Sequence, residues 1–112
     1  MLTEIEGTDV LARAFAARGY SIARDVPFDE AGVTCTLDGW DAGARVGFEY
    51  LTRDAGDHED LTADELGRLW ARMERGELYV FLVDERDVES AAELESAAGQ
   101  FLDEVKKRRG GA

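Results

Sequence analysis

Two acidic residues, Asp38 and Glu49, stand at positions where a pair of carboxylates could hold a divalent cation. Apolar residues alternate with polar ones over 33–38 and again over 46–51, on both sides of the glycine-containing segment 39–43. This pattern predicts a β-hairpin. If the apolar residues of both strands face the core, Asp38 and Glu49 lie together on the opposite face. Carboxylate oxygens suit Mg²⁺ and Mn²⁺, so the pair is a candidate metal or catalytic site.

Two other residues are candidates for binding. Trp40 falls in the predicted hairpin turn, where an indole has little to pack on unless it meets a partner or covers the sheet edge. Asp84 follows the apolar segment 78–83 and would lie at the carboxyl end of a strand, where α/β sheets usually open a ligand crevice. An acidic residue at that place is also a common turn former, and we favour this second interpretation.

The remaining reactive side chains point to no reaction. Cys35 is the only cysteine, so no disulfide forms within the chain, and its place on the apolar side of a strand favours a packing role. His58 is the only histidine and stands in the acidic segment 54–60, whose spacing does not match a calcium loop. We interpret that segment as a solvated acidic loop. No glycine-rich phosphate loop is present.

The first half of the chain predicts one helix before the strands. Helical spacing of apolar residues, with Thr8 and Asp9 able to cap, predicts a helix from about Asp9 to Arg18. Pro27 cannot donate to a ladder, so the first strand should stop near Val26 or lie at the sheet edge.

The second half contains the strongest local signal in the chain. Thr62 and Glu65 form the pattern of a capping box, and Leu61 with Leu66 forms a hydrophobic staple. Leu66, Leu69, Trp70 and Met73 then recur as one apolar stripe of a helix.

The segment 78–83 is apolar at every position, which predicts an interior strand buried on both faces. Ser90 and Glu93 form a second capping-box pattern, followed by a last helix that ends before Gly110. The fold class is therefore α+β: a single domain over 1–112 in the order α-β-β-β-α-β-α, with a mixed four-stranded sheet flanked by helices. We expect the basic tail, 106–112, to fray.

Charge and cysteine content restrict the partners. The chain has 25 Asp plus Glu against 13 Lys plus Arg, for a formal net charge of −12. Such a surface repels phosphate backbones and anionic headgroups, so we expect a protein partner with a basic surface, no nucleic acid and no membrane. A homodimer is an open alternative. The lone cysteine and the absence of a signal-peptide pattern predict a cytoplasmic location.

The element order, with Asp38 near the second strand's end and Glu49 in the third, resembles the core of the PD-(D/E)XK nuclease-like superfamily. The resemblance is topological and covers about Asp9 to Asp84. It implies that Asp38 and Glu49 bind Mg²⁺ or Mn²⁺ and that a lysine at position 51 assists attack by water. This chain has Leu51 there, and its lysines are Lys106 and Lys107.

Two hypotheses follow. The leading one is a non-enzymatic protein-interaction module without a cofactor, which uses its acidic surface and Trp40 as contacts. The alternative is a metal-dependent nuclease-like domain, or a degenerate nuclease, with Asp38 and Glu49 as metal and catalytic residues.

Overall fold

The computed structural model describes residues 2–30, 32–51 and 62–110, and every structural statement below concerns those residues. The elements are α1 (Glu4–Ala17), β1 (Ala23–Glu30), β2 (Val33–Asp41), β3 (Val46–Leu51), α2 (Ala63–Glu74), β4 (Tyr79–Asp84), a short 3₁₀ helix (Glu85–Asp87) and α3 (Ala91–Arg108). The predicted α+β class and element order are confirmed. The radius of gyration is 13.3 Å, which matches the ~13 Å expected of one compact domain of this length.

The four strands form one mixed sheet in the order β1-β2-β3-β4. β1 and β2 pair antiparallel, as do β2 and β3, whereas β4 lies parallel to β3. A parallel pair needs a crossover, which α2 supplies. The prediction of an interior position for 78–83 is wrong, because within the described chain β4 pairs with β3 alone. Its apolar composition reflects burial on both faces, which a strand at the sheet edge also has when helices cover both faces.

The sheet carries a hydrophobic cluster on each face. The α1/α3 cluster contains Val10, Leu11, Phe15, Val46, Phe48, Tyr50, Tyr79, Val83, Val88, Leu94, Ala98, Leu102 and Val105. The α2 cluster contains Phe28, Val33, Leu37, Trp40, Leu69, Leu78 and Val80. The domain therefore has three layers, with α1 and α3 on one side of the sheet and α2 on the other.

The prediction that the apolar residues of the two hairpin strands face the same side of the sheet is wrong. Val33 and Leu37 belong to the α2 cluster, whereas the apolar residues of β3 belong to the α1/α3 cluster. Leu37 and Trp40 pack in the same cluster although they are three residues apart, so the alternation of β2 breaks between them. The β1 residue opposite this break, Asp25, has a φ of 54°. The irregularity is therefore shared by both strands.

The first helix begins earlier than predicted. Thr3 caps it, since its side chain accepts the N–H of Glu6 and the Glu6 side chain accepts the N–H of Thr3. Thr8 is inside the helix and donates its hydroxyl to the Glu4 carbonyl. The first strand continues through Pro27 to Glu30, which the sheet tolerates because β1 is an edge strand.

The predicted capping box of α2 is confirmed. Thr62 accepts the N–H of Glu65 at 3.1 Å, and Glu65 accepts the N–H of Thr62 at 3.0 Å. The second carboxylate oxygen of Glu65 accepts the N–H of Thr34, which ties the start of α2 to β2. The predicted partner of the hydrophobic staple, Leu61, lies outside the described residues.

A network of ion pairs holds the other end of α2. Glu30 accepts two hydrogen bonds from Arg45, in the turn before β3. Arg72 of α2, 11% exposed, bonds Glu77 and lies 3.0 Å from Glu30 in a charge contact without hydrogen-bond geometry. Arg45 is the main reason that the pKa of Glu30 falls to about 2. The network fixes α2 against the ends of β1 and β3.

The last helix differs from prediction in its N-terminal cap. Ser90 caps it by accepting the N–H of Glu93, but Glu93 accepts the N–H of Glu89 and so does not complete the predicted box. At the other end the helix stops at Arg108, before Gly110 as predicted, and fraying of the basic tail stays a prediction. In the described part of the chain, no helix has the length and apolar content to cross a membrane.

Replacing Thr62 by Ala should lower the free energy of unfolding by about 1 kcal/mol, because the Glu65 N–H loses its acceptor. Thr62→Ser keeps the hydroxyl and should stay close to wild type. Urea unfolding followed by circular dichroism measures both. Equal stability of all three proteins would contradict the cap.

Amide exchange should alternate along β4. The Tyr79 N–H donates to the Arg45 carbonyl on the β3 side, so the N–H groups of Phe81 and Val83 also point towards β3. The N–H group of Leu82 points away from β3. We expect native-state exchange at Leu82 to be at least tenfold faster than at its two neighbours. Equal protection from exchange at Phe81, Leu82 and Val83 would contradict an open outer edge of β4.

Candidate functional site

The structure brings Asp38 and Glu49 together at the end of the β2–β3 ladder. The ladder pairs Gly39 with Phe48, and the two acids are the next residues along their strands. The backbone N–H of Asp38 donates to Glu49 Oε1 at 3.0 Å, and that of Tyr50 donates to Asp38 Oδ2 at 2.7 Å. Each carboxyl group therefore accepts an N–H of the opposite strand where the backbone pairing stops.

Burial favours a protonated Asp38. Asp38 is 8% exposed and Glu49 is 3% exposed. Burial is the largest cause that raises the pKa of Asp38, and the charge of Asp25 raises it further. The Tyr50 N–H, a hydrogen bond with the Glu49 side chain and the charge of Arg24 oppose this increase without cancelling it. A hydrogen bond between two carboxyl groups requires that one of them carries a proton, so the raised pKa of Asp38 is consistent with one proton held by the pair.

The predicted juxtaposition of the acids is present, and metal binding by them stays a prediction. Each of the two carboxyl groups already uses one oxygen for a backbone N–H. Leu51, at the end of β3, occupies the position where the resemblance places a lysine. Across 2–30, 32–51 and 62–110, no three or more His, Cys, Asp or Glu side chains form a group that could hold a metal ion.

The predicted place of Trp40 in the hairpin turn is wrong. Trp40 lies within β2 and is 5% exposed. Its ring packs edge-on against Phe28 with centroids 5.5 Å apart, and the Arg45 guanidinium lies 5.4 Å from its centroid. The turn instead spans 42–45. An indole enclosed in this way anchors the α2 cluster and has no free face for a partner.

Asp84 lies at the carboxyl end of β4, as predicted. Its carboxylate accepts the Arg86 N–H at 2.9 Å and contacts the Arg86 guanidinium, which is the turn-forming arrangement. Burial, followed by the charge of Glu49, raises the pKa of the Cys35 thiol to about 12, so this cysteine stays uncharged at neutral pH. His58 and the acidic segment around it lie outside the described residues.

A groove that the sequence analysis missed runs along the outer edge of β4. Trp70 and Met73 of α2 form one wall, Phe101 and Glu104 of α3 form the other, and Tyr79–Leu82 forms the floor. Its volume is about 380 Å³. Because α2 and α3 lie on opposite faces of the sheet, a groove that touches both must extend around the edge of the strand. We call it the β4 trough.

Backbone groups of β4 point into the β4 trough. The Val80 N–H donates to Met73 Sδ at 3.4 Å, away from β3, and Leu82 has the same orientation two residues on. A thioether sulfur is a weak acceptor. Among the described residues no strand pairs with this edge. The floor of the trough is therefore an open strand edge.

The main wall residue is unusually exposed. Trp70 is 57% exposed, and Ile5 on α1, at 74%, is the other large exposed apolar side chain of the described ranges. The sequence placed Trp70 in the apolar stripe of α2, yet Leu69 is the residue of that stripe that is fully buried. The sequence shows the apolar stripe but not which part of it the sheet covers, so it contained no signal for the exposure of Trp70.

Comparisons with known proteins found no match for this chain: no model of a protein family, no curated protein and no solved structure is significantly similar to it.

Asp38→Asn should stabilise the protein at neutral and higher pH. The native state holds the Asp38 proton above the ordinary pKa of 3.8, so wild-type stability declines as pH rises from about 4 through the raised pKa. The Asn oxygen can still accept the Tyr50 N–H, and its amide can donate to Glu49. The gain should grow with pH, by about 1.4 kcal/mol for each unit of pKa shift. Unfolding by urea from pH 4 to 8 measures it.

Asp41→Asn is the matched control, because the Ala44 N–H lowers the pKa of Asp41 and neutralisation there should give no gain at pH 8. The double replacement of Asp38 by Asn and Glu49 by Gln should be unchanged or improved in stability. A loss of stability for Asp38→Asn at pH 8 would contradict the shared proton.

Proposed function

We propose that this protein is a non-enzymatic interaction module that binds a basic polypeptide partner at the β4 trough. The observation that carries the proposal is Trp70, 57% exposed beside a strand edge that no described strand covers. Tryptophan supplies a large contact area at a small entropy cost, and such anchors dominate the energy of protein interfaces. This exposed indole replaces Trp40 as the expected contact residue.

Charge supports a basic partner. The net charge of −12 attracts cationic surfaces over a distance and increases their rate of association. The same field disfavours nucleic acid and anionic membranes as partners. The reducing conditions that suit a lone, uncharged thiol are consistent with a cytoplasmic location, which we retain as part of the proposal.

The chemistry of the buried groups supports a role without catalysis. A Cys35 with a pKa of about 12 is a poor nucleophile at neutral pH. Asp38 and Glu49 each accept a backbone N–H of the opposite strand, which gives them a structural role where the β2–β3 ladder ends.

The contact between Asp38 and Glu49 also favours one second candidate, a metal-dependent nuclease-like domain. It would require Mg²⁺ or Mn²⁺ to displace the shared proton. Calorimetric titration of Mn²⁺ into wild type and into the double Asn/Gln variant tests this candidate, together with cleavage of plasmid DNA. Binding and cleavage by wild type alone would support the nuclease-like domain over the interaction module.

The interaction proposal is tested by affinity capture from the native host followed by binding measurements with the purified partner. Trp70→Glu should weaken binding at least tenfold, mainly through faster dissociation. Ile5→Glu is the matched control, because it places the same charge at the other exposed apolar side chain, and it should bind like wild type. Both variants should fold normally, since exposed positions tolerate substitution.

Ionic strength provides a second readout. Raising it from about 0.05 to 0.5 M should slow association of the partner steeply and change dissociation less. A partner that binds wild type, Trp70→Glu and Ile5→Glu equally, with no salt dependence, would contradict the proposed surface.

A further inference from the structure

Resting on the proposed function, we infer that the β4 trough binds its partner by strand addition. An extended segment with an apolar centre and basic ends becomes the fifth strand of the sheet, beside β4.

The backbone of β4 provides the first argument. Val80 and Leu82 direct their N–H and C=O groups away from β3, and the Val80 N–H has a thioether at 3.4 Å as its acceptor. A carbonyl oxygen from an added strand is a stronger acceptor than Met73 Sδ. The unbranched Met73 side chain can move aside at small cost. An extended chain laid along this edge therefore gains a ladder of hydrogen bonds.

The walls provide the second argument. Side chains of an added strand alternate between the two faces of the sheet. On one face they would meet Trp70 and Met73, and on the other they would meet Phe101. Because the wall residues on both faces that meet the middle of the segment are apolar, its centre should be apolar at consecutive positions. Val, Ile and aromatic residues meet this need and favour the extended backbone.

Charge provides the third argument. Acidic residues that line the trough or the adjoining groove beside the carboxyl half of β4 are Glu74, Glu104, Asp84, Asp87 and Glu93. The arginines at this edge are Arg86 and Arg108, which contact Asp84 and Glu104, and Arg109, which lies over the Tyr79 ring. The five acids outnumber the three arginines, so the edge is net acidic, and Lys or Arg at both ends of the segment complements it.

The same features argue against a second copy of this chain as the occupant. Two copies would bring together surfaces that each belong to a chain of net charge −12. A second β4 would also carry its own α2 and α3 into the space between Trp70 and Phe101. A single extended segment without flanking helices fits that space better.

The test uses a phage-displayed library of random peptides about twelve residues long. Peptides are selected on wild type and counter-selected on Trp70→Glu, with Trp70→Ala as a second variant if the first fails to fold. The best peptide is synthesised, and single N-methyl groups are placed on each of its backbone amides in turn.

We expect the selected peptides to have an apolar centre flanked by Lys or Arg. Affinity should fall at least tenfold on Trp70→Glu and stay unchanged on Ile5→Glu. N-methylation should weaken binding at least tenfold at alternate positions, where the amide faces β4, and have little effect at the intervening ones.

Different failures overturn different claims. If no peptide prefers wild type to Trp70→Glu, both the proposed function and this inference are wrong. Peptides that need Trp70 but tolerate N-methylation everywhere would overturn strand addition and leave the interaction function standing. Acidic flanks would overturn the charge argument. Trp70-dependent self-association in sedimentation experiments, with peptides excluded, would identify a second copy as the occupant and overturn the inference.

Discussion

The parallel pairing of β3 with β4 is the constraint on which the rest of this structure depends. It requires the chain to cross over between the two strands, and α2 makes that crossing on one face of the sheet. The chain then turns through Asp84 and the short 3₁₀ helix and returns as α3 on the other face. The result is an edge strand with helices on both faces and, within the described ranges, no strand along its outer side.

That arrangement explains why an apolar strand is stable at a sheet edge. Exposed, flat, apolar edges promote aggregation, and proteins usually protect them with charge or with covering elements. Here α2 and α3 shield the side chains of β4, and acidic residues such as Glu74, Glu104 and Asp87 surround the open backbone. Like charges on two copies of the chain disfavour pairing of the edge with itself, while the backbone stays accessible to a slender basic segment.

The buried acids Asp38 and Glu49 accept backbone hydrogen bonds elsewhere in the same sheet. The alternation of side chains along β2 breaks near Asp38, so that Leu37 and Trp40 face the same side of the sheet. The backbone pairing of β2 with β3 also stops there. The carboxyl groups of Asp38 and Glu49 accept N–H groups of the opposite strands, so the peptide groups remain bonded where the ladder ends. The two acids therefore satisfy backbone N–H groups in this chain, and cation binding by the pair stays a prediction.

What the sequence predicted was local, and what it missed depended on tertiary packing. The Thr62–Glu65 box was found because both partners lie within one turn of helix. The equivalent Thr3–Glu6 box was passed over because the apolar periodicity begins later, near Val10. A fully apolar strand signals cover on both faces but carries no information about its neighbours in the sheet, so β4 was placed in the interior.

The sequence placed Trp40 in the hairpin turn and Trp70 in the apolar stripe of α2, but the structure buries Trp40 and exposes Trp70. Both differences depend on tertiary packing. Trp40 is buried because Phe28 and Arg45, brought from β1 and the turn, enclose it. Trp70 is exposed because α2 is amphipathic over a wider arc than the sheet covers. Neither neighbourhood can be deduced from periodicity along one element.

The most direct test of strand addition is residue-resolved amide exchange of the protein with and without a saturating trough-binding peptide. The account predicts that exchange at Val80 and Leu82 slows at least tenfold on binding, while Phe81 and Val83, already bonded towards β3, change much less. Protection that appears instead at the Asp38–Glu49 end of the hairpin, or that is uniform along β4, would contradict it.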